Sequence, residues 1–272
     1  MTILIKLGGS LITDKRKART FRPESVGRLA AQLSRFRATN PQQQIVIGHG
    51  SGSFGHFEAR KHRTAQGFET SQERLGFAQV GAAAAELSLL VLKEFIAGGL
   101  PVMRFQPSST IIAEGGRIAS FDSRALQLAL QKQLMPLIHG DIAVDREING
   151  GIISTESLFA HLVEPLRVRR IILLGEVAGV LNQRRELIPL ITPQSLEYML
   201  PSLKGSHGVD VTGGMLQKVK SMTALVRRHP SLQVVIAGGS QEDILINLLE
   251  GREAAGTRIL ADSVVSSPES SH

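Results

Sequence analysis

Four separate runs of aliphatic and β-branched residues end in glycine. Residues 2–7 lead into Gly8-Gly9-Ser10, and residues 44–47 lead into the segment from Gly48 to Gly55. Residues 170–174 end at Gly175, and 233–236 at Gly238-Gly239-Ser240. Between these runs lie stretches with helical spacing. In 23–37, Val26, Leu29, Ala30, Leu33 and Phe36 share one face; 73–97 is stopped by Gly98-Gly99 and Pro101. Strands alternating with helices predict an α/β fold, an open αβα sandwich around a mainly parallel sheet. Short strands with few polar positions fit burial on both faces of that sheet.

The remaining pattern is consistent with this. Further strands are expected at 102–105, 135–139 and 257–260. Helices are expected at 123–133, 155–166, 193–199, 213–228 and 243–250. Residues 111–121 read as a hairpin turning on Glu114-Gly115-Gly116, and 145–151 as a turn or second hairpin. The polar stretch 60–73 reads as a mobile loop, a lid over a bound ligand. A basic stretch near 164–167 suggests two lobes, 1–165 and 166–261. The serine-rich tail 262–272 reads as disordered.

Composition narrows the function. Of 272 residues, 42% are hydrophobic and 20% charged, which excludes disordered, collagenous and coiled-coil chains. There is no cysteine, so disulfides, thiolate catalysis and cysteine metal sites are excluded, and a reducing cytoplasm fits. The longest apolar stretch, 80–102, is broken by Glu86, Lys93 and Glu94. That is short of the roughly 20 clean residues a membrane span needs. Lys and Arg number 31 against 24 Asp and Glu, a net charge of +7. Such a balance suits anionic partners. The cations are scattered, and one Tyr and no Trp leave few stacking platforms, which argues against nucleic acid. Phosphorylated small molecules fit better.

In an open parallel sheet, ligands bind at the carboxyl ends of the strands, where the glycine turns fall. Glycine lets backbone N–H groups approach phosphate oxygens closely. The pattern is neither the P-loop nor the dinucleotide fingerprint. In Gly50-Ser51-Gly52-Ser53-Phe54-Gly55-His56 an imidazole stands just beyond a phosphate-sized nest.

Three segments carry a family resemblance: Lys6-Leu7-Gly8-Gly9-Ser10-Leu11-Ile12-Thr13-Asp14-Lys15, His49-Gly50-Ser51-Gly52-Ser53-Phe54-Gly55-His56, and Asp210-Val211-Thr212-Gly213-Gly214-Met215 with Lys218. In order and spacing the chain resembles the amino acid kinase superfamily over roughly residues 2 to 260. Its middle segment resembles the isopentenyl phosphate kinase branch and the related fosfomycin kinases. The resemblance implies ATP-dependent phosphorylation of isopentenyl phosphate, with Mg²⁺, in a cytoplasmic homodimer. A fosfomycin-type phosphonate kinase and a non-catalytic nucleotide sensor are the alternatives.

By the family pattern, Lys6 and Lys218 bind the transferring and ATP phosphates. Gly8, Gly9 and Ser10 wrap the β and γ phosphates. Lys15 closes over the γ-phosphate, and His56 donates a hydrogen bond to the acceptor phosphate. Gly50, Ser51 and Gly151 fall on the acceptor side. Gly52, Glu176, Gly179, Gly213 and Gly214 fall on the ATP side. No protein metal ligand is implied. The chain departs from the family at Gly175-Glu176-Val177-Ala178-Gly179, where many relatives read Thr-Asp-x-Asp-Gly, and at Ser154-Thr155-Glu156-Ser157, where they read Ser-Gly-Asp-Asp. Glu176 and Glu156 are candidate replacements for aspartates that contact nucleotide or orient lysines. Asp141 is a candidate to orient Lys6 or Lys15, or else a turn cap. On the 73–97 helix, Phe77, Val80, Gly81, Ala84 and Leu87 either line a slot for a prenyl tail or pack in the core.

Overall fold

A computed structural model describes residues 1–62, 64, 67–204, 213–252 and 256–265. Its centre is an eight-stranded sheet. The strands are β1 (Thr2–Leu7), β2 (Gln44–His49), β3 (Val102–Arg104), β6 (Met135–His139), β9 (Val168–Gly175), β10 (Leu190–Ile191), β11 (Gln233–Gly238) and β12 (Thr257–Ile259). They run in the order β10-β12-β11-β9-β1-β2-β6-β3. All neighbours are parallel except β11 and β12. The predicted sandwich is therefore the observed one. β1 lies at the middle, so its carboxyl end is flanked by the ends of β2 and β9.

Alternation along each strand divides the core in two. Ile3, Ile5 and Leu7 join α2 (Pro23–Thr39), α4 (Ser71–Ala97) and α9 (Ile244–Glu250) in one cluster. Leu4 joins the other, with α5 (Arg124–Gln131), α6 (Thr155–Leu162), α7 (Pro193–Lys204) and α8 (Gly213–Arg228). Lys6 follows Leu4 by two and points to the α6 and α8 face. His49 follows Ile47 by two and points to the α4 face. One strand end thus presents its cation on one side of the sheet, and its neighbour presents an imidazole on the other.

The long helix α4 is apolar and long enough to cross a membrane by length and composition alone. It instead packs into the fold: Phe77, Val80, Ala84, Leu87, Val91 and Phe95 are buried, and it contacts α2, α3 (Gly52–His62), β3 and β6. Thr70 caps it, accepting from Glu73 N while Glu73 accepts from Thr70 N.

A second sheet was legible only in part. The two expected hairpins exist as β4 (Ile111–Glu114) with β5 (Arg117–Phe121), and β7 (Asp141–Asp145) with β8 (Asn149–Ile153). They join through parallel β4–β7 pairing into one four-stranded sheet. Asp145 links their turns, accepting from the N–H groups of Gly115, Gly116, Glu147 and Ile148.

Three expectations are corrected. The glycine segment after β2 is not all loop: α3 begins at Gly52, so His56 is helical, and residues 60–62 of the expected lid belong to the same helix. Arg63, Ala65 and Gln66 lie outside the described residues. The tail begins as a one-turn helix, α10 (Asp262–Val265), and 266–272 fall outside the described residues. The helix expected at 155–166 ends at Leu162. Asp210, Val211 and Thr212 also lie outside the described residues.

Candidate active site

The two glycine turns after β1 and β2 abut. A Cβ on Gly9 would stand 2.7 Å from both N and Cα of Gly52, and one on Gly50 would stand 3.1 Å from Gly9 N. Gly8 is closed in on the other side, where a Cβ would meet the Leu174 carbonyl at 2.8 Å. Gly52 has φ +49°, a conformation glycine adopts without strain. Thr13 fastens the turns: its hydroxyl donates to Gly9 O at 2.6 Å and accepts from Ser53 N at 2.9 Å. Gly8 N donates to Leu174 O and Gly50 N to Leu7 O. The amides of Gly9, Ser10, Ser51 and Gly52 have no acceptor among the described residues. Free N–H groups at helix starts form an anion-binding nest.

Cations surround this nest. Lys6 pairs with Glu156 at the start of α6, and both side chains are largely buried. Burial alone would raise the Glu156 pKa. The charges of Lys6 and Lys218 and the hydrogen bond from Lys6 overcome it and hold the carboxyl below the usual range. Lys218, on α8, lies in the same cluster. Burial and the charge of Lys6 push it below the ordinary lysine range, Glu156 opposes them, and Lys15 adds to the fall. Glu156 is therefore the carboxylate that orients Lys6. Asp141 is not: its carboxylate accepts from Gln106 Nε2, Ser108 N and Ile142 N, which ties β7 to the turn at Pro107–Ser109. Its other candidate role, a turn cap, is the one the contacts support.

Lys15 stands on a loop closed by the Thr13–Phe21 bridge and by Asp14 N donating to Thr20 O. Two arginines that sequence reasoning missed anchor it. Arg19 reaches Glu58 on α3 and Glu86 on α4, at 3.2 and 3.1 Å. Arg22 donates to Ser10 O and pairs with Glu176 at 3.1 Å. Neither contact has a local sequence signature, since the partners are 39, 67 and 154 residues away. His56 sits on α3 with its side chain reaching solvent. Partial desolvation, then the charges of Lys15, Arg60 and Lys6, lower its pKa, which favours the neutral imidazole.

The other expected residues fall as follows. Glu176 is engaged by Arg22. A Cβ on Gly179 would press on Thr257 Oγ1 at 2.8 Å, so that glycine permits close packing on β12. Gly213 and Gly214 open α8, and Gly214 faces open space. Gly151 stands in β8 opposite Ala143, its nearest neighbours being Ile148 and Gly116. On α4, Leu87 belongs to the main core cluster. Phe77 lies against Gly150, and Gly81 against Ile142 of β7. Among the described residues no three or more His, Asp or Glu side chains gather as a metal seat. The two carboxylates at the cleft, Glu156 and Glu176, are already paired with cations.

A mainly parallel α/β sheet whose central strand carries Lys6 into glycine turns with amides that have no acceptor among the described residues suits a phosphoryl-group-binding protein. The profile of the amino acid kinase family matches residues 1–238, and the chain belongs to that family. It is 31% identical over 270 residues to an isopentenyl phosphate kinase of Methanothermobacter thermautotrophicus, covering 94% of this chain and 98% of the relative. It is 28% identical over 266 residues to the isopentenyl phosphate kinase of Methanocaldococcus jannaschii, covering 95% and 98%. A crystal structure of an isopentenyl phosphate kinase superposes with a TM-score of 0.80 at 26% identity, covering 95% of this chain and all of the other. The chain is a kinase of the amino acid kinase fold.

Proposed function

We propose that the protein transfers the γ-phosphoryl group of ATP to isopentenyl phosphate, giving isopentenyl diphosphate and ADP. The observation that carries this is the set of amides at Gly9, Ser10, Ser51 and Gly52 without an acceptor among the described residues, at the ends of β1 and β2, where Lys6 of β1 pairs with Glu156 and lies within electrostatic reach of Lys218. The similarity to isopentenyl phosphate kinases along nearly the whole chain supports the choice of acceptor.

The chemistry asks little of a general base. The attacking group is a phosphate-monoester oxygen, largely deprotonated near neutral pH because its second pKa is about 6. The difficulty is bringing two anions together, so catalysis rests on positioning and charge neutralisation. In this reading Lys6 and Lys218 hold the donor phosphates, and Glu156 aims Lys6. Gly8, Gly9 and Ser10 wrap the β and γ phosphates. Lys15 closes over the γ-phosphate from its anchored loop. Neutral His56 donates to the acceptor phosphate, beside Gly50, Ser51 and Gly151. The prenyl tail lies where α4 meets the β7–β8 hairpin. Gly52, Gly179, Glu176, Gly213 and Gly214 face the nucleotide. Residues 1–165 carry the acceptor phosphate site and the glycine loops, and 166–261 the rest of the ATP site. Among the described residues, Glu156 and Glu176 are committed to cations and do not suit a resident metal. Mg²⁺ therefore enters as part of the MgATP substrate, held by phosphate oxygens. We place the enzyme in the cytoplasm as a homodimer, acting on a small molecule and not on nucleic acid or membrane.

ADP release is the test, comparing isopentenyl phosphate, dimethylallyl phosphate, fosfomycin, carbamate and buffer with ATP and Mg²⁺. Turnover on isopentenyl phosphate well above the rest is expected. Turnover on fosfomycin alone would move the substrate, and ATP binding without any turnover would overturn the catalytic reading.

A further inference from the structure

We infer that His49 is a positioning residue for the phosphate nest: its buried imidazole pins the Gly50 carbonyl and so turns the Ser51 N–H toward the acceptor phosphate. This rests on the proposed phosphoryl transfer and extends it to a side chain that touches no substrate.

His49 is completely buried at the carboxyl end of β2, level with His139 on β6. The two rings stack with centroids 5.3 Å apart and planes 11° apart. The backbone of His49 is held from two sides, its carbonyl accepting from Thr155 Oγ1 at 2.6 Å and from Gly140 N at 3.1 Å. Its Nδ1 lies 3.0 Å from Gly50 O. A carbonyl can only accept, so Nδ1 carries the proton and the ring is the Nδ1–H tautomer. Nε2 of His49 and both nitrogens of His139 are buried with no partner. A neutral ring is what this environment favours. Burial, then the nearby His139, and to a lesser degree the charges of Lys6 and Arg104, hold His49 at a pKa of about 3, the hydrogen bond to Gly50 opposing them. His139 is likewise held near 3 by burial and Arg104. Asp141, the carboxylate facing this pair from β7, lies 3.8 Å from His139, beyond hydrogen-bond reach.

The consequence follows from peptide geometry. The Gly50–Ser51 peptide is trans, so the C=O of Gly50 and the N–H of Ser51 point in opposite directions across one rigid plane. Drawing the carbonyl down onto the buried ring forces the amide up and away from it. Gly50 has no side chain to fix that plane, and among the described residues the ring nitrogen is the partner its carbonyl has. Ser51 N is one of the amides with no acceptor among the described residues. The ring thus does for one backbone donor what an oxyanion-hole scaffold does: it fixes the dipole before the anion arrives.

Two variants separate this from simple packing. In His49→Asn the amide Nδ2 takes the place of Nδ1–H and keeps the donor. In His49→Leu the volume is kept and the donor is lost. The Kd for inorganic phosphate, read by ¹H–¹⁵N NMR at the Ser51 amide, is expected to weaken about tenfold or more in the Leu variant. In the Asn variant it should stay within about threefold. The KM for isopentenyl phosphate should follow the same order, with the KM for ATP nearly unchanged. His139→Phe keeps the stacked ring without its nitrogens and should leave phosphate affinity as in the wild type. Equal weakening in the Asn and Leu variants, no weakening in either, or a His139→Phe loss as large as that of His49→Leu would overturn the assignment. A wild type that binds phosphate in this pattern yet does not turn over isopentenyl phosphate would sink the proposed reaction and leave the role of His49 standing.

Discussion

Gly9 and Gly52 meet backbone to backbone, with no room for a methyl group on Gly9: its Cβ would stand 2.7 Å from Gly52 N and Cα. Real Cβ atoms do not approach backbone so closely, so Gly9→Ala must push the two turns apart. Its own φ is not positive, so the cost is steric. Overpacking of this kind costs about 1–3 kcal/mol. If these amides bind phosphate as proposed, displacing them by about 1 Å can lower turnover about a hundredfold. Gly27, inside α2, is the control. A Cβ there meets only the end of Glu94 at 3.4 Å. Gly27→Ala is expected to gain about 0.5–1 kcal/mol. Thermal melts and initial rates on both variants check this, and equal behaviour of the two would refute it.

Removing the Glu156 charge strands Lys6. Glu156→Gln leaves a largely buried ammonium beside Lys218 without its carboxylate. Breaking such a pair costs about 3 kcal/mol, a fall in Tm of about 6–12 °C for a chain of this size. The sign with pH follows from the lowered pKa of Glu156, whose ordinary value is 4.5. The pair stabilises the fold above that value, and the contribution is lost as pH falls through the lower, folded-state pKa. The gap in Tm between wild type and Glu156→Gln should therefore be full at pH 7 and shrink below pH 4.5. A gap that is constant with pH would mean the carboxylate is not acting through its charge.

Lys218 supplies an alkaline signature. Burial and the neighbouring Lys6 hold it below 10.5, so it loses its charge earlier than an exposed lysine would. With a phosphate-binding role, kcat/KM for ATP should fall along a limb that begins below that pH. Lys218→Arg keeps its charge throughout, because guanidinium does not deprotonate in proteins. The limb should then disappear, whatever the variant's absolute rate. An unchanged limb would assign it to another group.

The parts of this architecture that sequence exposes are those set by local rules. The strand ends at Gly8, Gly175 and Gly238 are legible because a parallel strand must turn where a glycine allows close backbone approach. The turn at Glu114-Gly115-Gly116 is local as well. The β4–β7 pairing that merges two hairpins has no such signal, since it joins Ile112 to Val144 across 31 intervening residues. The same holds in the site. Lys6, Lys15 and Lys218 are recognisable from motif residues around them. Arg19, Arg22 and the buried His49–His139 stack depend on which distant elements the topology brings together. The glycines flanking His56 suggest a loop, yet His56 is helical: Gly52 and Gly55 serve close contacts with Gly9, Thr13 and Ser51, and not flexibility.

His56 offers a direct reading of how the Lys15 loop sits over the acceptor side. Desolvation and the charges of Lys15, Arg60 and Lys6 all lower its pKa from 6.5, so the imidazole is neutral at pH 7 and donates from one nitrogen. An NMR titration of its ring proton should give a midpoint below 6.5. Lys15→Met removes one of the charges that oppose protonation, so the midpoint should rise in that variant. Arg60→Met, removing a charge one helical turn away on α3, should raise it as well. In kinetics, His56→Ala loses a hydrogen bond to a charged phosphate, worth about 1.5–3 kcal/mol. That corresponds to a fall of roughly tenfold to a hundredfold in kcat/KM for isopentenyl phosphate. His56→Gln, which keeps a donor of similar reach, should recover part of the loss. A midpoint unmoved by Lys15→Met would mean the loop does not lie over the imidazole in solution. Wild-type kcat/KM in His56→Ala would remove His56 from the acceptor site.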